Sequence, residues 1–136
     1  RQGIENEIPP PRKRPTRQTV HLHAVGCWRS GRLLLEKREE TGLWAGLWQM
    51  PTVEAEHKLR SDVVRRRLGF DVGPLKSVGS IRRLLTHREV FLHVYAADLA
   101  ATLPRRKGRK WVRWSEVPQL PVSAAAMGAI KLVGCH

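Results

Sequence analysis

The fold is decided by the stretch Gly42-Leu43-Trp44-Ala45-Gly46-Leu47-Trp48-Gln49-Met50-Pro51, in which a Gly-Leu-Trp triplet occurs twice before a closing proline. Glycine allows close approach of the backbone, and each tryptophan brings a large apolar surface that folding can bury. The stretch is therefore predicted to be a loop that leads into a short strand, with Trp44 and Trp48 packed in the core. The alternative is that the two indole rings serve as stacking platforms for nucleic-acid bases.

The elements that precede and follow this stretch are predicted from residue periodicity. Upstream, the alternation over residues 19–27 and the apolar run 33–35 indicate two strands, joined by a turn at Arg29-Ser30-Gly31-Arg32. Downstream, apolar residues at helical spacing predict a helix over residues 57–68, which Gly69 ends. The chain thus opens with a hairpin, a loop with a short strand, and a helix.

The second half of the chain continues the alternation of strands and helices. The predicted elements are strands over 76–84, 89–99 and 110–114, a connection over 85–88, and a final helix over 124–133 that Ser123 caps. The resulting order is β-β-β-α-β-β-β-α. This order predicts an α/β (α+β) fold, a mixed β-sheet flanked by helices.

Residues 1–18 are predicted to be an interdomain linker, and residues 19–136 a single domain. The run Ile8-Pro9-Pro10-Pro11-Arg12-Lys13-Arg14-Pro15 cannot form a helix interior or a central strand. Its composition favours an extended, semi-rigid connector. The sequence has no apolar run long enough for a membrane span, so no membrane partner is expected.

The chain is strongly basic, with 25 Lys and Arg residues against 12 Asp and Glu residues and a formal net charge of +13. Residues 1–18 contribute +3 of this charge, so +10 belongs to the predicted domain. Such a balance favours a polyanionic partner, above all nucleic acid. The alternative is a protein-interaction module with an incidentally charged surface. Two interpretations of the basic run 105–110 remain, a solvated loop and an arm that contacts phosphates.

The succession of hairpin, glycine-rich loop, short strand and helix ending in Leu-Gly resembles the Nudix architecture. In that family an Arg-Glu-hydrophobic-x-Glu-Glu run before x-Gly-hydrophobic supplies carboxylates that bind Mg²⁺, and the metal activates water for hydrolysis of a diphosphate. When Leu68-Gly69-Phe70 is aligned with the end of this pattern, the Arg-Glu pair falls on Asp62 and Val63. The Glu-Glu pair falls on Arg66 and Arg67.

The missing carboxylates argue against metal-dependent catalysis. Cations next to a divalent metal ion would repel it, and the repulsion is strong in a low-dielectric site. Glu54 falls on the leading glutamate of the pattern, but one carboxylate, even with Glu56 nearby, cannot rebuild the cluster. No catalytic residue and no metal ligand are therefore assigned, and a divergent Nudix nucleotide diphosphatase is kept as the alternative enzyme function.

A narrower resemblance covers residues 8–133. The segments similar to the C-terminal domain of the adenine DNA glycosylases are the Gly-Leu-Trp stretch, Leu85-Thr86-His87, and Trp114 followed by Leu120-Pro121-Val122-Ser123. Met50 and Leu85 depart from the family pattern, which has aromatic residues at both positions.

This resemblance implies a Nudix-like domain without hydrolase activity that clamps DNA and recognises 8-oxoguanine opposite adenine in base excision repair. The implied partners are double-stranded DNA containing the 8-oxoguanine:adenine pair and the protein's own N-terminal catalytic domain. In the family a 4Fe-4S cluster lies in that catalytic domain. Cys27 and Cys135 are too few to bind it, so no cofactor is expected in this chain. The implied protein is a cytoplasmic monomer, associated with the nucleoid if it is bacterial.

The resemblance also assigns residues to the lesion. Oxidation of guanine turns N7 from a hydrogen-bond acceptor into a donor and adds an acceptor at O8, and a hydroxyl can serve as both donor and acceptor. Thr86 and His87 are therefore the predicted lesion-binding residues. Arg82, Arg83 and Arg88 are predicted to contact the DNA backbone. The alternative is a plain hairpin turn in which the Thr86 hydroxyl bonds the local backbone.

His21 and His23 fall on one face of the first predicted strand. Two imidazoles on one face are a possible metal site, but no third ligand stands at suitable spacing. We therefore predict that they form a pair on the sheet surface.

Overall fold

One long strand organises the sheet in the computed structural model of the protein, which describes residues 18–100 and 102–134. Strand β1 (Gln18–Arg29) pairs in parallel with β6 (Arg88–Ala97) over the whole length of β6. The predicted linker falls almost entirely outside the described residues, and β1 begins at its last residue, Gln18. The parallel pair forms the middle of the mixed sheet that the sequence predicts.

Antiparallel strands lie on both sides of this pair. Strand β5 (Lys76–Leu84) pairs with the outer edge of β6, and β4 (Thr52–Ala55) pairs with the other edge of β1. Strand β3 (Trp48–Gln49) is separate from β4, so the single short strand predicted at this point is corrected to two. Pro51 lies between them, and its carbonyl accepts a hydrogen bond from the N–H of Val25 at 2.9 Å.

The remaining strands extend the sheet beyond the first hairpin. Strand β2 (Arg32–Lys37) pairs antiparallel with β3 and with β7 (Arg109–Arg113). The turn between β1 and β2 has positive φ at Ser30 (51°) and at Gly31 (73°). Positive φ at both central residues is the signature of the type I′ hairpin turn, and it confirms the turn predicted there.

Helix α1 (Ser61–Arg67) begins later than the sequence predicts. The N–H of Leu59 donates to Nε2 of His23 at 2.9 Å, and Arg60 is extended with ψ at 150°. Residues 57–60 therefore precede the helix, and the hydrogen bond from Leu59 holds them to β1.

Helix α2 (Ala124–Gly134) starts where the sequence predicts. The Oγ of Ser123 accepts a hydrogen bond from the N–H of Ala126 at 3.0 Å, which is the expected N-terminal cap. Before it, a 3₁₀ helix (Trp114–Gln119) begins at the residue predicted to end the preceding strand. Within the described ranges, no helix is long and apolar enough to cross a membrane.

The two α-helices cover opposite faces of the sheet. Neighbouring side chains of a strand point to opposite sides, so each strand contributes residues to both cores. The α2 face carries a core made of Val20, Leu22, Ala24, Val90, Leu92, Val94, Ala129, Ile130 and Val133. The α1 face carries a second core made of Val25, Cys27, Leu34, Val53, Val64, Val72 and Tyr95.

Gly26 lies where α2 approaches β1 closely. A Cβ atom built there would lie 2.5 Å from Cγ1 of Val133 and 3.1 Å from Sδ of Met50. Carbon atoms pack at ~3.5–4.0 Å, so only glycine fits this position without displacing the helix.

Candidate nucleic-acid interface

The turn between β5 and β6 carries the two residues predicted to bind the lesion. The N–H of Leu85 donates to the carbonyl of Arg88 at 2.8 Å and closes the turn. The carbonyl of His87 accepts a hydrogen bond from the N–H of Gln18 at 3.1 Å, which attaches the turn to the first residue of β1. The turn is thus held to β1 and β6, and the side chains of Thr86 and His87 are exposed.

Thr86 is exposed on this turn. Both hydrogen bonds that the described residues place at the turn join backbone atoms. The alternative, in which the hydroxyl bonds the local backbone, stays a prediction. An exposed hydroxyl on a fixed turn is able to donate to a ligand and to accept from it.

Two leucines precede Thr86 and lie on opposite faces of the sheet. Leu85, at the position where the pattern quoted above has an aromatic residue, is half-buried and packs against the α2-face core. Leu84 is 54% exposed. An apolar contact from this turn to a ligand would therefore come from Leu84, which the resemblance did not single out.

The three arginines predicted to contact the DNA backbone do not form one cluster. Arg82 pairs with Phe91 and lies on the α1 face, whereas Arg83 pairs with Val90 and lies on the α2 face. Arg88, two residues before Val90 on β6, is on the α2 face as well. The arginines therefore flank the turn from both sides of the sheet.

Arg82 already has partners within the domain. Its Nε donates to Oε2 of Glu89 at 2.7 Å, its Nη2 contacts the same oxygen, and its guanidinium lies 5.7 Å from the ring centroid of Phe91. Arg83 is exposed, and its Nη1 donates to the carbonyl of Arg82 at 3.2 Å. A phosphate contact is easier for Arg83, because Arg82 would have to share or release Glu89.

Helix α1 carries cations where the Nudix pattern has carboxylates. Arg66 and Arg67 are exposed on its surface, and Val64 anchors the helix in the α1-face core. The carboxylate of Asp62 lies 3.2 Å from Nε of Arg60 and 4.0 Å from Nη2 of Arg66. The only acidic side chain on this helix is therefore paired with arginines.

Glu54, the carboxylate that matches the leading glutamate of the pattern, supports the Gly-Leu-Trp loop. Its Oε1 lies 3.3 Å from Nη2 of Arg38, whose Nε donates to the carbonyl of Leu43 at 2.7 Å and whose Nη1 donates to Gln49. In the part of the chain that the structure describes, no three His, Cys, Asp or Glu side chains converge as a metal site. Glu54 thus contributes to loop structure through Arg38.

The two tryptophans of the loop are packed as predicted. Trp48 is 8% exposed and belongs to the α2-face core, and Trp44 is half-buried against the same core. The ammonium group of Lys110 lies 5.0 Å from the ring centroid of Trp48. The burial of Trp48 therefore excludes this ring as a stacking platform for a base.

Three histidines stack on the α1 face, and one of them was predicted incorrectly. His21 and His23 do share a face, but His23 is fully buried rather than on the surface. Its Nδ1 donates to the carbonyl of Val53 at 3.1 Å, and its Nε2 accepts from Leu59, so both ring nitrogens of a neutral imidazole are used. His93 joins them from β6, with its Nε2 2.9 Å from Nδ1 of His21.

Burial disfavours a positive charge on this stack. Burial, and after it the neighbouring imidazoles of His23 and His21, lower the pKa of His93 to about 4. Burial also lowers the pKa of His23 and of His21. The stack is therefore neutral at physiological pH.

The family follows from this fold together with the sequence. The family model for the NUDIX domain matches residues 23–132. The chain belongs to this family. In the alignment given under the sequence analysis, α1 carries the residues that match the family's Arg-Glu-hydrophobic-x-Glu-Glu run, so its cations mark where this Nudix domain departs from the metal-binding pattern.

This Nudix domain is also similar to adenine DNA glycosylases. It is 27% identical over 148 residues to adenine DNA glycosylase of Rattus norvegicus, a match that covers 98% of this chain and 29% of the glycosylase. The chain therefore spans less than a third of the length of that relative. The resemblance to the adenine DNA glycosylases, which the sequence motifs suggested, is therefore confirmed.

Solved structures share the fold. The C-terminal domain of mouse MUTYH, in complex with human PCNA, superposes with a TM-score of 0.67 at 22% identity, covering 87% of this chain and 88% of that one. A MutT NUDIX hydrolase from Burkholderia pseudomallei superposes with a TM-score of 0.72 at 20% identity, covering 85% and 98%. At these identities the structures establish the Nudix fold of this domain and nothing about its activity.

Proposed function

We propose that this chain is the non-catalytic C-terminal domain of an A/G-specific adenine DNA glycosylase and recognises 8-oxoguanine opposite adenine. The observation that carries the proposal is the exposed Thr86 on a turn that hydrogen bonds hold to β1 and β6. Similarity to a glycosylase along 98% of the chain supports it. The proposed partners are duplex DNA with the 8-oxoguanine:adenine pair and a catalytic domain that holds the 4Fe-4S cluster, in a cytoplasmic monomer.

The chemistry of the turn suits the lesion. The Thr86 hydroxyl donates to O8, while a backbone carbonyl of the turn accepts from the N7–H that only the oxidised base has. His87, beside it, orients the base or contacts a phosphate. Arg83 and Arg88 on one side of the turn, and Arg82 on the other, meet the phosphates and set the position of the duplex, while the base contact provides specificity.

Replacing Thr86 with valine tests this role in the complete glycosylase. The variant keeps the shape of the side chain but loses the hydroxyl, so the preference for 8-oxoguanine:adenine over guanine:adenine duplexes should fall about 5- to 10-fold, as for one hydrogen bond of about 1 kcal/mol. Thr86→Ser, which keeps the hydroxyl, should retain the preference. The measurement is the ratio of the two dissociation constants at fixed salt. An unchanged ratio in Thr86→Val removes Thr86 from lesion recognition.

The alternative of a diphosphatase gives a second expected result. Incubated with Mg²⁺ or Mn²⁺ and nucleoside di- or triphosphates, the chain should release phosphate or pyrophosphate no faster than its Glu54→Gln variant. The physical reason is that Arg66 and Arg67 stand where the pattern places metal-binding carboxylates. Robust turnover that depends on Glu54 would contradict this expectation and restore the enzyme function.

A further inference from the structure

A second basic surface lies far from the Thr86 turn. It is a cavity of about 510 Å³, called here the basic cavity, lined by Arg32, residues 103–107 and residues 109–111. Arg32 follows β1 at its far end, whereas the Thr86 turn bonds to Gln18 at its start. Because the 12 residues of β1 extend roughly 35 Å, a ligand in the basic cavity is separate from one at Thr86.

Hydrogen bonds hold the wall of the cavity in place. The carbonyl of Gly108 accepts a hydrogen bond from the N–H of Lys37 at 2.8 Å, and the carbonyl of Arg106 accepts one from the N–H of Arg109 at 3.1 Å. The guanidinium of Arg109 binds Oε2 of Glu36 through Nη2 at 2.9 Å and through Nε at 3.0 Å. The run 105–110, for which the sequence allowed two interpretations, is therefore anchored to β2.

The lining carries an excess of positive charge. Six of the nine lining residues are Lys or Arg and none is acidic, whereas the cavity beside α1 includes Asp62 and Asp71. Glu36 lies outside the lining and pairs with Arg109 and, at 3.6 Å, with Arg106. Among residues 18–100 and 102–134, no carboxylate lies within 4.0 Å of Arg32, Arg105 or Lys107. An anion would relieve the repulsion between these cations.

The cavity also has an apolar floor. Leu103 and Trp111 are half-buried against the α1-face core, and Pro104 lies beside Leu103. An aromatic ring among cations is the combination that binds single-stranded nucleic acid, since a base stacks on the ring while phosphates meet the charges. In a duplex the bases are already stacked and cannot reach this floor. An acidic peptide would have to order long side chains to supply the same charge.

We propose that the basic cavity binds single-stranded nucleic acid, with a base against Trp111 and phosphates on Arg32, Arg105 and Lys107. The inference is independent of the proposed function, because it concerns another end of the domain and another form of nucleic acid.

The affinity test compares two double variants that remove the same charge. Fluorescence anisotropy with a labelled thymidine octanucleotide should show binding by the full chain, weakened at least tenfold in Arg32→Gln/Arg105→Gln. Arg66→Gln/Arg67→Gln, which removes two exposed arginines of α1, should weaken it less than twofold. Absence of binding, or equal loss in both variants, would overturn the proposal, because equal loss reflects net charge alone.

The contact with Trp111 has its own readout. The indole N–H resonance of Trp111, assigned with Trp111→Phe, should shift on addition of the octanucleotide and remain unshifted with hexaglutamate. A duplex of the same length should shift it much less, whatever that duplex does at Thr86. A comparable shift with the duplex or with hexaglutamate would overturn the proposal in favour of a site for phosphate backbone or for an acidic protein segment.

Discussion

Replacing Gly26 with valine is expected to destabilise the folded chain by about 3 kcal/mol or more, and replacing it with alanine by about 1–3 kcal/mol. The new Cβ would lie 2.5 Å from Cγ1 of Val133. Val133 is buried and β-branched, so its side chain cannot turn aside, and α2 would have to move off β1. The measurement is the free energy of urea unfolding for each variant.

Two further variants separate this contact from a general effect of losing glycine. Gly73→Ala is the matched control, because its Cβ would meet only the carbonyl oxygen of Asp98, at 3.7 Å, and the stability should change by less than about 0.5 kcal/mol. Val133→Ala, added to Gly26→Ala, should make room for the new methyl group, so the two changes should couple. If the two changes in unfolding free energy are strictly additive, Val133 is not the residue that clashes with the new methyl group.

Acid is expected to destabilise the domain through the histidine stack between pH 6.5 and pH 4. Because the folded-state pKa of His93 is lowered from 6.5 to about 4, the folded chain binds fewer protons there than the unfolded chain. Stability from the neutral ring is complete above pH 6.5 and is lost as the pH falls towards the folded-state value. The loss should be about 2 kcal/mol, since partial contact of the ring with water reduces the full effect.

The slope of stability with pH isolates this effect. His93→Phe keeps an aromatic ring between His21 and His23 but cannot take up a proton, so its stability should fall by at most half as much as that of the original chain between pH 7 and pH 4.5. His87→Gln, on the exposed turn, should follow the original chain. If His93→Phe has the original slope, the acid sensitivity arises elsewhere, for example in the carboxylate ion pairs.

Local features of the fold could be predicted because their causes are local. The turn at Ser30 and Gly31 needs only residues that accept positive φ, and Ser123 needs only to precede a helix. The start of α1 could not be predicted in this way, because the segment before it is held through Leu59 to His23, a residue 36 positions earlier. The spacing of apolar residues around 57–60 gives no information about a contact with His23.

Predictions for the candidate site also failed where a contact depends on residues of another strand. Alternation alone separates Arg82 from Arg83, yet both were predicted to contact phosphates because of their charge and their nearness to the turn, without regard to face. The ion pair between Arg82 and Glu89 depends on the register of β5 with β6. His93 could not be connected with His21 because alternation shows which residues share a face of a strand but not which strand lies beside it.

The parallel pairing of β1 with β6 determines when the domain is able to fold. Each residue of β1 in this pair finds its partner 70 positions later, from Gln18 with Arg88 to Cys27 with Ala97. Closing so long a loop loses chain entropy before the contacts compensate for it, which slows folding. During synthesis, one edge of β1 therefore stays unpaired until β6 has been made, and an unpaired edge can pair with strands of other chains.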